Sequence, residues 1–179
     1  MATYKRDEVV NNSFSAPMPK LRYVLRGLNS VLGVSKASQN PMTTFNAEIV
    51  CTGDGDTVVD YHDEKINVAG RKITYYIPYT EKNMSNVFEF YSKMGVELDE
   101  IDPENPPDTA FLKGIIFEAV LSAEPNIPRM APAPGETEGK PIRDANGKEI
   151  INGYRITNNL GDILGLGEIP AKHSEKAPY

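Results

Sequence analysis

The chain has 179 residues, 40% of them hydrophobic and 25% charged, with 14 Gly and 14 Pro. That suits one globular domain with extensions and is punctuated too often for a helical bundle. A single cysteine excludes an internal disulfide, and two histidines with one cysteine exclude the usual zinc sites. The net charge is −6, which argues mildly against a nucleic-acid binder.

The charges are, however, segregated. Residues 1–51 carry Lys5, Arg6, Lys20, Arg22, Arg26 and Lys36 against only Asp7, Glu8 and Glu48. Residues 54–64 carry Asp54, Asp56, Asp60, Asp63 and Glu64 with no cation. Such a distribution allows a basic groove within an acidic envelope. No stretch is long and apolar enough to span a bilayer, so no membrane association is expected. Residues 1–20 lack the apolar core of a signal peptide.

Residues 1–19 read as a mobile arm ending in Ser15-Ala16-Pro17-Met18-Pro19. A domain is expected over residues 20–165. Its first strand spans 20–34, with Leu21, Tyr23 and Leu25 on one face and Arg22, Val24 and Arg26 on the other. Gly27 and Gly33 admit the bends that a strongly curved strand needs. After a polar loop over 35–41, a second strand spans 42–51, with Phe45, Ala47 and Ile49 opposite Thr44, Asn46 and Glu48. Cys51 is expected as a small buried strand residue. A third strand spans 70–79, with Ile73, Tyr75 and Ile77 facing one way and Lys72, Thr74 and Tyr76 the other.

A helix follows over 81–94, its stripe built from Val87, Phe90, Tyr91 and Met94 and its end set by Gly95. A fourth strand, apolar on both faces and therefore central or deeply covered, is expected over 111–123. Residues 125–140 read as an extended Pro- and Gly-rich loop, Asn146-Gly147 as a hairpin turn, and 152–158 as the last strand. Residues 166–179 read as a flexible tail. The order strand, strand, strand, helix, strand, strand is that of the OB fold, a mainly β, five-stranded, partly open barrel.

Motifs of catalysis are missing. His62 stands in an acidic stretch without a neighbouring nucleophile. Asp54-Gly55-Asp56 begins like a calcium loop. Val58 and Val59 then occupy the positions of a ligand and of the turn glycine, and Lys65 that of the bidentate glutamate. Neither metal, cofactor nor catalytic residue is expected, and the chain is read as a binding module rather than an enzyme.

Single-strand binders need cations along the phosphates and aromatic faces for unpaired bases. On an OB barrel the second and third strands and two of the loops form the binding face. The cations predicted there are Arg22, Arg26, Lys36, Arg71 and Lys72. The stacking candidates are Tyr76, Tyr79 and Tyr61, with Tyr154 as a further one. Tyr76 is the best of them because it alternates out of phase with the core residues of its strand. Phe45, Tyr75 and Phe117 are expected in the core.

The segment LNSVLGVSKASQNPMTTFNAEIV, residues 28–50, resembles a stretch of phage-encoded OB-fold single-stranded DNA-binding proteins. Those carry a Gly-x-Ser-Lys-x-Ser-Gly-Asn-Pro-Met-like run and then an alternating strand. The run here is Gly33-Val34-Ser35-Lys36-Ala37-Ser38-Gln39-Asn40-Pro41-Met42, departing at Gln39, where Gly is commoner. Gly95-Val96-Glu97-Leu98, Leu112-Lys113-Gly114 and Asn146-Gly147-Lys148 also look like the family. The resemblance implies sequence-tolerant binding of single-stranded DNA during replication or recombination, in the cytoplasm of an infected bacterial cell. Phage replication or recombination proteins, or further copies of the chain, would be its partners. One family feature is missing: the chain ends Lys172-His173-Ser174-Glu175-Lys176-Ala177-Pro178-Tyr179, which is not an acidic recruiting tail. A phage structural protein on a similar barrel, without DNA affinity, is the rival reading.

Overall fold

The computed structural model describes residues 17–36, 39–97, 108–151 and 153–172. Alternating apolar and polar residues make the two long strands, β1 (Leu21–Val34) and β2 (Pro41–Thr52), which pair antiparallel. Phe45, Ala47 and Ile49 of β2 are buried, while Thr44, Asn46 and Glu48 between them are partly exposed. A short hairpin follows, β3 (Val58–Tyr61) and β4 (Glu64–Asn67). Then come β5 (Lys72–Pro78), a helix, β6 (Ile116–Leu121), β7 (Ala123–Pro125), β8 (Tyr154–Ile156) and β9 (Ile163–Leu166).

The protein is mainly β. Its principal sheet has five strands in the order β5-β2-β1-β6-β9, all antiparallel to their neighbours. The sheet is not closed, and β5 and β9 are its edges. The asparagine Nδ2 of Asn158 reaches from the β8–β9 connection to donate to the carbonyl of Thr74 on β5, at 3.0 Å.

The helix α1 (Met84–Lys93) enters through a single 3₁₀ turn, Glu81–Asn83, where the Thr80 hydroxyl accepts the backbone N–H of Asn83. It ends where Gly95 takes a φ of +88° and the Val96 N–H returns to the Tyr91 carbonyl at 2.9 Å. Val87, Phe90 and Tyr91 turn inward against the sheet. Phe45 is the centre of the core, with ring centroids of Phe90 at 6.1 Å, Phe117 at 5.6 Å and Tyr75 at 6.1 Å. Offset and tilted contacts of this kind add about 0.5–1.5 kcal/mol each to the burial of the rings. Tyr79, Tyr91 of the helix and Thr43 of β2 join their hydroxyls in a buried chain.

Several expectations are corrected. The strand anticipated at 152–158 is β8, and it pairs with β7 in a separate two-stranded sheet. The fifth strand of the main sheet is β9, inside a segment with too short a pattern to declare itself. The β3–β4 hairpin was not anticipated. Its turn is His62-Asp63, both at positive φ (50° and 63°), where Asn-Gly would have announced it. The fourth strand, β6, is central as expected, between β1 and β9, with buried Phe117, Ala119 and Leu121 alternating with partly exposed neighbours. Residues 110–112 before it form a 3₁₀ turn.

The ends of the described chain are attached. Met18 is 1% exposed within the core, and Tyr23 donates its hydroxyl to the Pro19 carbonyl at 2.7 Å. Ile169 packs against Val24, Val50 and Cys51, and Lys172 pairs with Asp56 at 2.6 Å. The mobile arm and tail placed at 1–19 and 166–179 therefore do not include Met18, Ile169 or Lys172. Their remaining parts at 1–16 and 173–179 lie outside the described residues.

Candidate nucleic-acid interface

The face of the sheet opposite the core carries the polar half of each alternation. Cross-strand register on β1, β2 and β5 arranges these side chains in three successive rows. Arg26, Glu48 and Lys72 make an ionic row, with Arg26 Nη1 at 3.7 Å from Glu48 Oε1. Asn29, Asn46 and Thr74 make an amide and hydroxyl row. There Asn46 Nδ2 donates to Asn29 Oδ1 and Thr74 Oγ1 donates to Asn46 Oδ1, each at 2.7 Å. Val31, Thr44 and Tyr76 make an apolar row whose two ends are open to solvent, Val31 at 60% and Tyr76 at 52% exposure.

Beside this face a cleft of about 680 Å³ runs between β5 and β8. Lys72, Thr74 and Tyr76 form one wall, and Tyr154, Arg155 and Asn158 form the other. Arg155 is exposed and Tyr154 half-buried. A trench with a cation and a tyrosine on each wall can hold a chain of alternating anions and flat rings.

The predicted residues separate into those at this face and those elsewhere. Arg26, Lys72 and Tyr76 lie on the rows described, and Lys72 and Tyr76 also line the cleft. Arg22 projects from the same side of β1 nearer its start, 3.9 Å from Glu118, with its guanidinium lying on Gly53. Lys36 is exposed in the turn between β1 and β2 and does not line the cleft. Tyr61 is at the end of β3, its ring against His62 at 4.1 Å and packed on the core, away from the lining.

Two predictions are corrected. Tyr79 is 5% exposed, and its hydroxyl bonds those of Thr43 and Tyr91, so it presents no face to a base. Arg71 is 1% exposed at the base of the cleft and is not a surface cation. Burial pulls its guanidinium below the ordinary value, opposed by the nearby Tyr23. Both residues share the parity of Ile73, Tyr75 and Ile77, which the strand turns inward.

Arg155 and Asn158 were not predicted. The signal available was Arg155 directly after Tyr154, a cation beside an aromatic, in a segment too short to fix its facing. Among the described residues no group of three or more His, Cys, Asp or Glu side chains could hold a metal ion, and no helix is long and apolar enough to cross a membrane. Comparison with family models, with curated proteins and with solved structures finds no match.

Proposed function

We propose that the protein binds single-stranded DNA without strong sequence preference, on an OB-type barrel left open at the seam between β5 and β9. The observation that carries this reading is the cleft, with Lys72 and Tyr76 facing Arg155 and Tyr154. Phosphates are held by the cations and unpaired bases stack on the tyrosines, with no bond made or broken. The strand order supports the barrel: β1, β2 and β5 form a meander, α1 follows the third sheet strand, and β6 and β9 add beyond β1. The sequence likeness of residues 28–50 supports the same reading and a role in phage DNA replication or recombination within an infected bacterium.

The test is a titration of a fluorescein-labelled dT oligonucleotide and a matching duplex, followed by anisotropy at low and moderate salt. Tight binding of the single strand, weaker binding of the duplex and a steep fall with salt are expected. The slope for a single strand is about −0.7 per phosphate neutralised. If neither DNA binds at low salt, the reading is wrong. A protein-interaction barrel then takes its place, favoured by the exposed Val31, Leu32 and Val34 near the end of β1.

A further inference from the structure

We infer that Glu48 is a built-in competitor for phosphate, a carboxylate that pairs with Arg26 and stands beside Lys72 on the binding face when DNA is absent and sets how tightly DNA is held. The inference rests on the single-strand-binding reading above and concerns its regulation.

The register places Glu48 on β2 directly between Arg26 on β1 and Lys72 on β5. Neighbouring strands lie about 4.8 Å apart, so the carboxylate in the middle of the row adjoins both cations, and its ion pair is with Arg26. It approaches Arg26 to 3.7 Å, with 27% of its own side chain and 43% of the arginine's exposed. The row is therefore not sealed, and an incoming anion can reach it. Lys72 also lines the cleft, which makes the row continuous with the trench.

A face built only to maximise attraction for a polyanion would not centre a carboxylate between two of its cations. Placed there, Glu48 does two things. It holds Arg26 on the face while the site is empty, which lowers the ordering needed when a phosphate arrives. It also repels that phosphate, so each binding event exchanges one oxyanion for another at the same cations. A protein that must cover single strands and then yield them to other machinery gains a faster release from such an exchange.

The experiment is E48Q, which keeps the shape of the side chain and removes the charge. The readout is the anisotropy titration with the dT oligonucleotide across a salt series. The expected result is binding tighter by about 3- to 10-fold at low salt, the size of two partly exposed charge contacts. The gain should shrink as salt screens the repulsion, so the salt dependence of E48Q is steeper than that of the wild type. A structural role alone would not steepen it. In the K72Q background, and in the R26Q background, the gain from E48Q should fall, because the competition acts through those cations.

If the wild type binds the dT strand, K72Q weakens it, and E48Q binds equally or less tightly with an unchanged melting temperature, Glu48 is not a competitor and the inference is overturned. If the wild type binds no single strand at all, the parent reading fails, and the inference fails with it. The two failures are thus told apart by the wild-type titration.

Discussion

Tyr76→Ala tests the outer face of the sheet apart from the core. The ring stands on the outer side of β5, 52% exposed, opposite Thr44 of β2. Its removal leaves the inward Tyr75 and Ile77 untouched and forfeits a cross-strand contact worth about 0.2–1 kcal/mol. Folding stability should therefore fall by less than about 1 kcal/mol. If an unpaired base stacks on the ring, binding should lose about 1–3 kcal/mol, a rise in Kd of roughly 5- to 150-fold. Tyr76→Phe keeps the stacking face and should bind within about threefold of the wild type. Urea unfolding and dT anisotropy on the same preparations supply both numbers. The salt slope adds a third: it should be unchanged in Tyr76→Ala and shallower by about 0.7 in Lys72→Ala, because only the lysine neutralises a phosphate. A stably folded Tyr76→Ala that binds within twofold of wild type refutes the stacking platform.

Gly27→Ala should destabilise by about 3 kcal/mol or more, read as a drop in the urea midpoint. The new Cβ would lie 1.9 Å from the Leu112 carbonyl oxygen, and backbone bonds of 2.8 Å on both sides of Gly27, to Ile115 and Gly114, prevent that segment from backing away. Alkaline pH should unfold the protein through its buried tyrosines. Burial pushes the Tyr23 hydroxyl up to about 12, and burial also raises those of Tyr75 and Tyr91. Tyrosines in the unfolded chain ionise near 10. The stabilisation is thus complete below pH 10 and is lost as pH rises from there through 12. Tyr23 alone should account for about 2–3 kcal/mol of that loss. A urea midpoint that stays level over this interval would contradict the burial of these hydroxyls. Cys51 is fully buried, and burial, reinforced by the charge of Asp56, raises its thiol. A disulfide reagent should label it slowly in the native protein and at the free-thiol rate in denaturant.

The three long pairing strands and the helix were legible because each alternates or repeats over a full length of seven or more residues. Their facing was legible too, down to Tyr76 pointing outward. The errors at Arg71 and Tyr79 are instructive because the same alternation, extended one step beyond each end of the strand, places both inward. Residue type points the other way at these positions, since arginine favours the surface and tyrosine an aromatic platform. Position won, since the backbone direction at residues 71 and 79 is set by Ile73 and Ile77. The pairing of β8 and the existence of β9 were illegible for a different reason. β8 and β9 have three and four residues, too few for a period, and their pairing partners are 31 and 47 residues or so away in β7 and β6. Arg155 and Asn158 join the site only through that long-range pairing, so no local pattern could have assigned them to it.

The net charge of −6 is the strongest sequence argument against the proposed DNA binding, and the placement of the charges bears on it. Asp60, Asp63 and Glu64 belong to the β3–β4 hairpin, and Asp54 and Asp56 to the turn before it. None of them lines the cleft. Lys172 is paired with Asp56, so part of that acidity is neutralised locally. On the outer rows and around the cleft the described charges are Arg26, Lys72, Arg155 and, buried at the base, Arg71, against Glu48. Screening in physiological salt confines each charge to about 8 Å. A phosphate placed in the cleft would therefore meet those groups and little of the hairpin. Under the proposed function the acidity of the rest of the surface would act on the approach instead, turning away a polyanion that arrives from the wrong side. Low salt should for that reason strengthen binding at the cleft while leaving the acidic surface free of DNA, and the salt slope should count the few cations of the face rather than the charge of the whole chain.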